Sequence, residues 1–245
     1  MEPEFDADGL FDDDYLHFYR ELIDAGSEVE AGLIWDLLGL EPGADVLDLA
    51  CGHGRLASPL AARGCRVTGL DRSAPFLDRA RADAAARGVE VDYVLGDMRE
   101  LPWTDRFDAV INWFTAFGYF SDEGNRRVLT EVHRSLKPGG RFAMELNNVV
   151  DLLPRYLPAV VREVGEDMAI DQHRLDPITF RSHVERTIIR RGERRTIRYS
   201  VRFFTVPELR DWLRQAGFRD VEALGEDGSP LTREHKRLII TATRE

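Results

Sequence analysis

Cysteine is nearly absent, with Cys51 and Cys65 the only two in 245 residues. Two thiols are too few for a disulfide framework, so a reducing, cytoplasmic setting is expected. Long apolar runs are missing as well. No stretch approaches the roughly 18 consecutive apolar residues of a membrane span, so no membrane partner is expected. The chain does not open on a basic-then-apolar signal segment. Its first 14 residues instead hold seven acids (Glu2, Glu4, Asp6, Asp8, Asp12, Asp13, Asp14) and no base, the composition of a solvated, partly disordered tail. Basic residues are outnumbered, 33 Lys and Arg against 44 Asp and Glu, for a formal charge of −11. Nucleic acid would be repelled, although a local basic patch is compatible with that balance. No His/Cys spacing suggests a metal site, and no metal is expected. Internal repeats and low-complexity segments are absent too.

What is present is the composition of a soluble globular chain, 43% hydrophobic and 31% charged. The length suits one large α/β domain over residues 1–245, with room for an insertion. Residues 46–57, VLDLACGHGRLA, organise it. Val46, Leu47 and Leu49 read as a buried parallel strand. Gly52 and Gly54 then turn the chain, and residues 55–62 read as a helix start. Glycines let backbone approach a ligand closely, and free N–H groups at a helix start point the same way. Gly52, Gly54 and Ala57 fit the G-x-G-x-x-G/A spacing of dinucleotide sites, a weak signal alone. Asp48, at the strand's end, would be poorly placed beside a pyrophosphate and suits a cationic ligand.

The second strand, 66–70, ends in Asp71, 23 residues after Asp48. An acid at about this distance accepts from ribose hydroxyls in nucleotide folds. It fits any ribose-bearing cofactor, NAD included. Ser73 caps a helix over 74–87 that stops at Gly88. The third strand, 91–95, runs into Gly96-Asp97-Met98. Gly-Asp is a common turn pair; after two earlier acids in order it carries more weight.

The fourth strand, 107–111, is followed by NWFTAFGYF, residues 112–120, with five aromatic rings in nine residues. That position is the carboxyl edge of the sheet, where open α/β folds bind ligands. About half of these rings are expected in the core, and the rest around a site. An amphipathic helix over 123–136 buries Val128, Leu129 and Val132. It ends at Lys137-Pro138-Gly139-Gly140, before a fifth strand over 141–146. Residues 147–205 break the βα rhythm. Strands over 179–190 and 194–204, joined at Gly192-Glu193, read as an antiparallel β insertion. Eight arginines between 181 and 202 face two acids there, giving +6. A solvated sheet face is the first expectation, and a rim for an anionic substrate the second. A helix over 207–216 and two last strands, 218–224 and 236–243, close the chain.

Asp-Leu-Ala-Cys-Gly-His-Gly resembles motif I of the class I S-adenosylmethionine-dependent methyltransferases. Gly96-Asp97-Met98 is similar to their adenine loop, and residues 134–145, RSLKPGGRFAME, to a further family marker. The resemblance covers roughly 40–146 by motif and 206–245 by pattern. It implies a seven-stranded Rossmann-like α/β sheet of order 3-2-1-4-5-7-6, flanked by helices, with residues 1–40 as a helical lid and 147–205 as the insertion. It implies S-adenosyl-L-methionine as cofactor and S-adenosyl-L-homocysteine as product. Asp48, Ala50 and Gly52 would face the methionine part, Asp71 the ribose, and Asp97 with Met98 the adenine, with Arg72 a further cofactor-binding residue. Asn112 and Trp113 would add to that pocket, with Tyr15 and Tyr19 closing it from the lid. Ala50 departs mildly from the commoner glycine, and His53 stands where threonine is usual. No arginine occurs over 29–38, where some relatives hold the cofactor carboxylate, so that contact is unassigned. Resemblance to glycine N-methyltransferase-like and antibiotic amino-sugar enzymes points to a small-molecule acceptor, foremost an amine nitrogen. O- or C-methylation is the alternative, and an NAD-dependent oxidoreductase the more distant one. A hydroxyl or carbon acceptor needs a base, for which Tyr119, His133 and Glu145 are the candidates. The insertion also offers a surface for a homodimer.

Overall fold

The structure, a computed structural model, describes residues 7–245. Three helices come first, α1 (Ala7–Leu10), α2 (Asp13–Asp24) and α3 (Ser27–Leu38). The alternating core follows as β1 (Asp45–Leu49), α4 (Ala57–Ala62), β2 (Arg66–Asp71), α5 (Ala74–Arg87), β3 (Asp92–Leu95), β4 (Phe107–Asn112), α6 (Asp122–Ser135) and β5 (Leu136–Asn147). After α7 (Val149–Leu152) come β6 (Ala159–Val164), β7 (Asp167–Asp176), β8 (Arg181–Arg190) and β9 (Glu193–Arg202). The chain ends with α8 (Val206–Gln215), β10 (Phe218–Leu224) and β11 (Arg237–Arg244).

The main sheet runs β3-β2-β1-β4-β5-β11-β10, which is the order 3-2-1-4-5-7-6. β1 lies parallel between β2 and β4, with Leu47 beside Thr68 and Val110. That central place explains its apolar run, because both faces of the strand are covered. On one face, Leu47, Leu49 and Phe142 pack with Val128, Leu129 and Val132 of α6 and Leu209 and Trp212 of α8. On the other, Val46, Val67 and Ile111 pack with Ile34 of α3, Leu60 of α4 and Leu77 of α5. Local chemistry sets the helix ends. Ser73 Oγ accepts from Phe76 N at 3.4 Å to start α5, and Gly88 at φ +68° stops it. β11 is antiparallel to β5 and β10, and closes the sheet.

The insertion differs from the single hairpin read in the sequence. It is a separate four-stranded antiparallel sheet, β6-β7-β8-β9. β7 escaped notice because Asp171 and His173, two of its alternate positions, are polar and line a cavity. The usual apolar alternation is therefore missing. β5 also starts at Leu136 rather than Arg141, with a register shift against β4 between Phe107 and Ala109.

Only part of the arginine cluster is a solvated face: Arg191, Arg194 and Arg198 are exposed. Arg181, Arg186 and Arg202 are buried, and each has a carboxylate partner, Asp122, Asp171 and Glu208. Arg190 meets Asp14 at 2.6 Å, and Arg195 meets Asp12 and Asp14. The acidic segment is thus partly an ion-pair partner of the second sheet. Its residues 1–6 lie outside the described residues. Asp12 also caps α2, accepting from Asp14 N and Tyr15 N. Phe18, Tyr19 and Ile23 of α2 pack on Ala169 and Ile188, which seats α2 against the second sheet.

Candidate active site

A cavity of about 540 Å³ opens beyond the carboxyl ends of β1, β2 and β4 and reaches the inner face of the second sheet. The glycine turn forms its floor. Ala50, Gly52 and Gly54 take φ values of +59°, +57° and +81°. Glycine adopts such angles freely; an L-residue pays about 1–2 kcal/mol. Ala50 is therefore a costlier departure than its small side chain suggests. Gly54 has a second reason, since a Cβ there would sit 2.2 Å from Tyr93 Oη.

Three acids stand at successive strand ends. Asp48 is 3% exposed, and its Oδ2 has no hydrogen-bond partner among the described residues. Burial pushes its carboxyl up to about 7, against the nearby Arg55 charge and helped by Asp71. Asp71 accepts from Gly52 N (2.7 Å) on Oδ2 and from Ser73 N (2.8 Å) on Oδ1. Burial raises its pKa, and these N–H groups oppose the rise. Asp97 is held by the Arg99 guanidinium, with Nε 3.0 Å from Oδ1 and Nη2 2.6 Å from Oδ2. Burial would raise Asp97, but Arg99 and the Arg72 charge hold it below the ordinary range. Arg72 lies 3.9 Å from Asp97, and both line the cavity. Met98 and Trp113 line it as buried side chains.

Aromatic rings roof the cavity. Tyr15 stacks on Tyr19 at 4.8 Å, four residues along the same helix. Phe11 meets Tyr15 at 5.2 Å and Tyr119 at 5.6 Å, and Tyr119 stacks on Tyr199 at 6.2 Å. Burial pushes the Tyr15 and Tyr119 phenols upward, so both stay neutral. Tyr19 Oη donates to Asp171 Oδ2 at 3.1 Å and accepts from Arg186 Nη2 at 2.8 Å. Two further contacts fasten the roof to the floor. His53 Nε2 lies 2.7 Å from Asp24 Oδ1 of α2, and Ser73 Oγ donates to Phe11 O at 2.9 Å.

Tyr15, Tyr19, Asp48, Ala50, Gly52, Asp71, Arg72, Asp97, Met98, Trp113 and Tyr119 are thus brought together on one cavity. Three expected residues are not. Asn112 is buried behind the wall, where Nδ2 donates to Leu49 O at 2.9 Å and ties β4 to β1. His133 packs on Phe218 at 5.1 Å, in the layer outside the sheet. Glu145 is buried and spoken for. It accepts from Phe114 N at 2.8 Å and pairs with Arg237, which also donates to Thr115 Oγ1 at 2.7 Å. Phe114 and Thr115 both lie in the left-handed region, at φ +59° and +56°. Glu145 and Arg237 therefore hold a strained turn at the cavity edge.

Sequence reasoning missed Phe11, Phe76, Asp171, His173, Arg186 and Tyr199, all of which line the cavity. His173 is half-buried. Burial pushes its imidazole below the ordinary 6.5, Asp171 opposes this, and Arg186 adds to it.

Residues 46–140 match the family described as a methyltransferase domain. The demethylmenaquinone methyltransferase of Thermus thermophilus is 42% identical over 102 residues, covering 40% of this chain and 45% of that protein. Among solved structures, an S-adenosylmethionine-dependent methyltransferase from Clostridium acetobutylicum aligns with a TM-score of 0.78 at 17% identity, over 94% of this chain and 98% of that one. The CcbJ methyltransferase from Streptomyces caelestis aligns at 0.77 and 24%, over 91% and 92%. Residues 46–140 are thus similar to a methyltransferase domain, and the chain shares the fold of these two solved methyltransferases. It spans about half the length of the first curated relatives it matches. No described helix is long and apolar enough to cross a membrane.

Proposed function

We propose that the protein transfers a methyl group from S-adenosyl-L-methionine to a small-molecule acceptor, foremost an amine nitrogen, leaving S-adenosyl-L-homocysteine. The observation that carries this reading is the set of acids along one cavity. Asp48 is a buried carboxyl with an unmet oxygen, whose ionised form a cation would favour and the pyrophosphate of NAD would not. Asp71 is pinned by two backbone N–H groups, with acceptor capacity left for a ribose diol. Asp97 with Met98 stands where the adenine edge would lie. The residues present therefore fit the group.

Bound there, the cofactor supplies a methyl already activated by a sulfonium. The protein's share is then mostly positioning, worth of order 7–11 kcal/mol in well-oriented systems. Tyr15 and Tyr119 present aromatic faces, which favour a cation nearby and exclude water. Neither phenol can act as a base at neutral pH, which supports an acceptor that needs only to be uncharged. A second reading rests on His173. Its imidazole, neutral at pH 7, lies on the acceptor side of the cavity and could take a hydroxyl proton during O-methylation.

Calorimetry with S-adenosylmethionine, S-adenosylhomocysteine and NAD tests the cofactor. The first two should bind and NAD should not; the reverse defeats the proposal. A mass-spectrometric screen for a gain of about 14 Da, one CH₂, then finds the acceptor. On that acceptor, His173→Ala should spare an N-methylation and abolish an O-methylation.

A further inference from the structure

α2 carries Tyr15 and Tyr19 over the cavity, and its two sides are fastened by different chemistry. Towards the second sheet the seam is built on apolar packing, with Phe18, Tyr19 and Ile23 against Ala169 and Ile188. Arg190 reinforces it by pairing with Asp14 at 2.6 Å, and Tyr19 by donating to Asp171. Towards the glycine turn and α5 the seam is mainly polar. Tyr15 meets the Phe76 ring there at 6.0 Å, and charged groups do the rest of the joining. His53 Nε2 lies 2.7 Å from Asp24 Oδ1, Arg20 Nε donates to Asp24 Oδ2 at 3.1 Å, and Arg20 Nη2 donates to Asp83 Oδ2 of α5 at 3.1 Å. Burial would raise the Asp24 carboxyl, but His53 and Arg20 hold it below the ordinary range, so it is ionised at neutral pH. Arg20 and Asp83 keep contact with water, at 36% and 28% exposure, and such pairs part at little cost. His53 is only 7% exposed, so its bond to Asp24 is the costly one to break.

We infer that the His53–Asp24 pair is the latch of the cavity: it clasps α2 to the glycine turn, holds Tyr15 and Tyr19 over the cofactor, and sets how long the cofactor stays. The inference rests on the cofactor reading above. An apolar seam loses its burial when it opens, whereas charged partners regain water. α2 therefore stays with the second sheet, and the cavity opens between α2 and the glycine turn. His53 stands on that line. Asp24 of α2 lies on one side of it, and Asp71 of β2 is near enough for a charge on the imidazole to lower its pKa. His53 and Asp24 are thus positioning residues, which act on methyl transfer through α2.

Dissociation of S-adenosylhomocysteine, followed by surface plasmon resonance, tests the latch. His53→Ala and Asp24→Ala should each speed dissociation by about 5- to 30-fold. The double variant should be little faster than Asp24→Ala alone, because the same bond is lost in all three. His53→Gln should restore most of the wild-type lifetime, since its amide N–H can reach the same carboxylate. Unchanged dissociation in both single variants overturns the inference, whatever happens to Tm. Losses that add in the double variant overturn it too, as does a His53→Gln variant as fast as His53→Ala. A loss in His53→Ala that Asp24→Ala does not share places His53 against the cofactor itself and also overturns the latch. Asp24 is 36% exposed, so if His53→Ala does not fold, Asp24→Ala and His53→Gln decide the matter: fast release in the first with slow release in the second supports the latch, and any other pairing overturns it. A wild-type protein that does not bind S-adenosylhomocysteine defeats the cofactor reading and this inference together, an outcome distinct from wild-type binding whose lifetime the variants leave unchanged.

Discussion

Replacing Asp48 with asparagine should make the ligand-free protein more stable and its cofactor binding weaker. The carboxyl is 3% exposed and lacks a partner on Oδ2. Burial moves it from an ordinary 3.8 up to about 7. Below pH 3.8 both the folded and unfolded chains hold this proton. As pH rises from there to about 7, the unfolded chain releases it while the folded chain keeps it, so stability falls across that window and levels off above it. The whole window corresponds to at most about 4 kcal/mol. Asparagine has the same shape and no charge, so it escapes the penalty. Asp48→Asn should therefore gain up to about 4 kcal/mol at pH 8, at roughly 2–4 °C of Tm per kcal/mol, and nothing near pH 4. Ligand binding should move the opposite way. A cation beside Asp48 favours the ionised form, so wild-type affinity for S-adenosylhomocysteine should rise from pH 5.5 to about 7.5, and this rise should vanish in the variant. Thermal denaturation over a pH series, with and without ligand, reads both effects. A variant with the wild-type stability profile and undiminished affinity would refute the reasoning.

Three further outcomes are expected. Asp71→Asn should weaken S-adenosylhomocysteine by about 1.5–3 kcal/mol in calorimetry, and should lower Tm as well because Gly52 N and Ser73 N lose a charged acceptor; unchanged affinity would remove the ribose assignment. Gly54→Ala should cost about 2–4 kcal/mol of stability in chemical denaturation, since alanine resists φ +81° and its Cβ would meet Tyr93 Oη at 2.2 Å. Tyr119→Leu, which removes the ring that we propose closes over the reacting centre, should lower kcat more than it weakens the cofactor; full turnover with a lowered Tm would make the residue plain packing.

The sequence by itself determined the main sheet and the strand-end half of the cavity. The apolar run in β1, the glycine turn and the acids Asp48, Asp71 and Asp97 all lie at strand ends, and the backbone pattern of a βα unit places a strand-end residue at the ligand edge without help from distant contacts. The half lined by the second sheet was decided only by tertiary structure. Asp171, His173 and Arg186 carry no local signal, because they interrupt the apolar alternation of their strands, and Asp171 and Arg186 meet Tyr19 across more than 150 residues of chain; Tyr199 reads as one more apolar position of its strand. Arg55 reads as an ordinary charge after a glycine until α3 and Phe114 bury it. His133 and Glu145 show the converse. Both are chemically able bases, yet packing put His133 in the outer layer and tied Glu145 to Arg237 and a strained turn. Residue type sets what a side chain can do; burial and partners, which depend on chain segments far apart in sequence, decide whether it is free to do it.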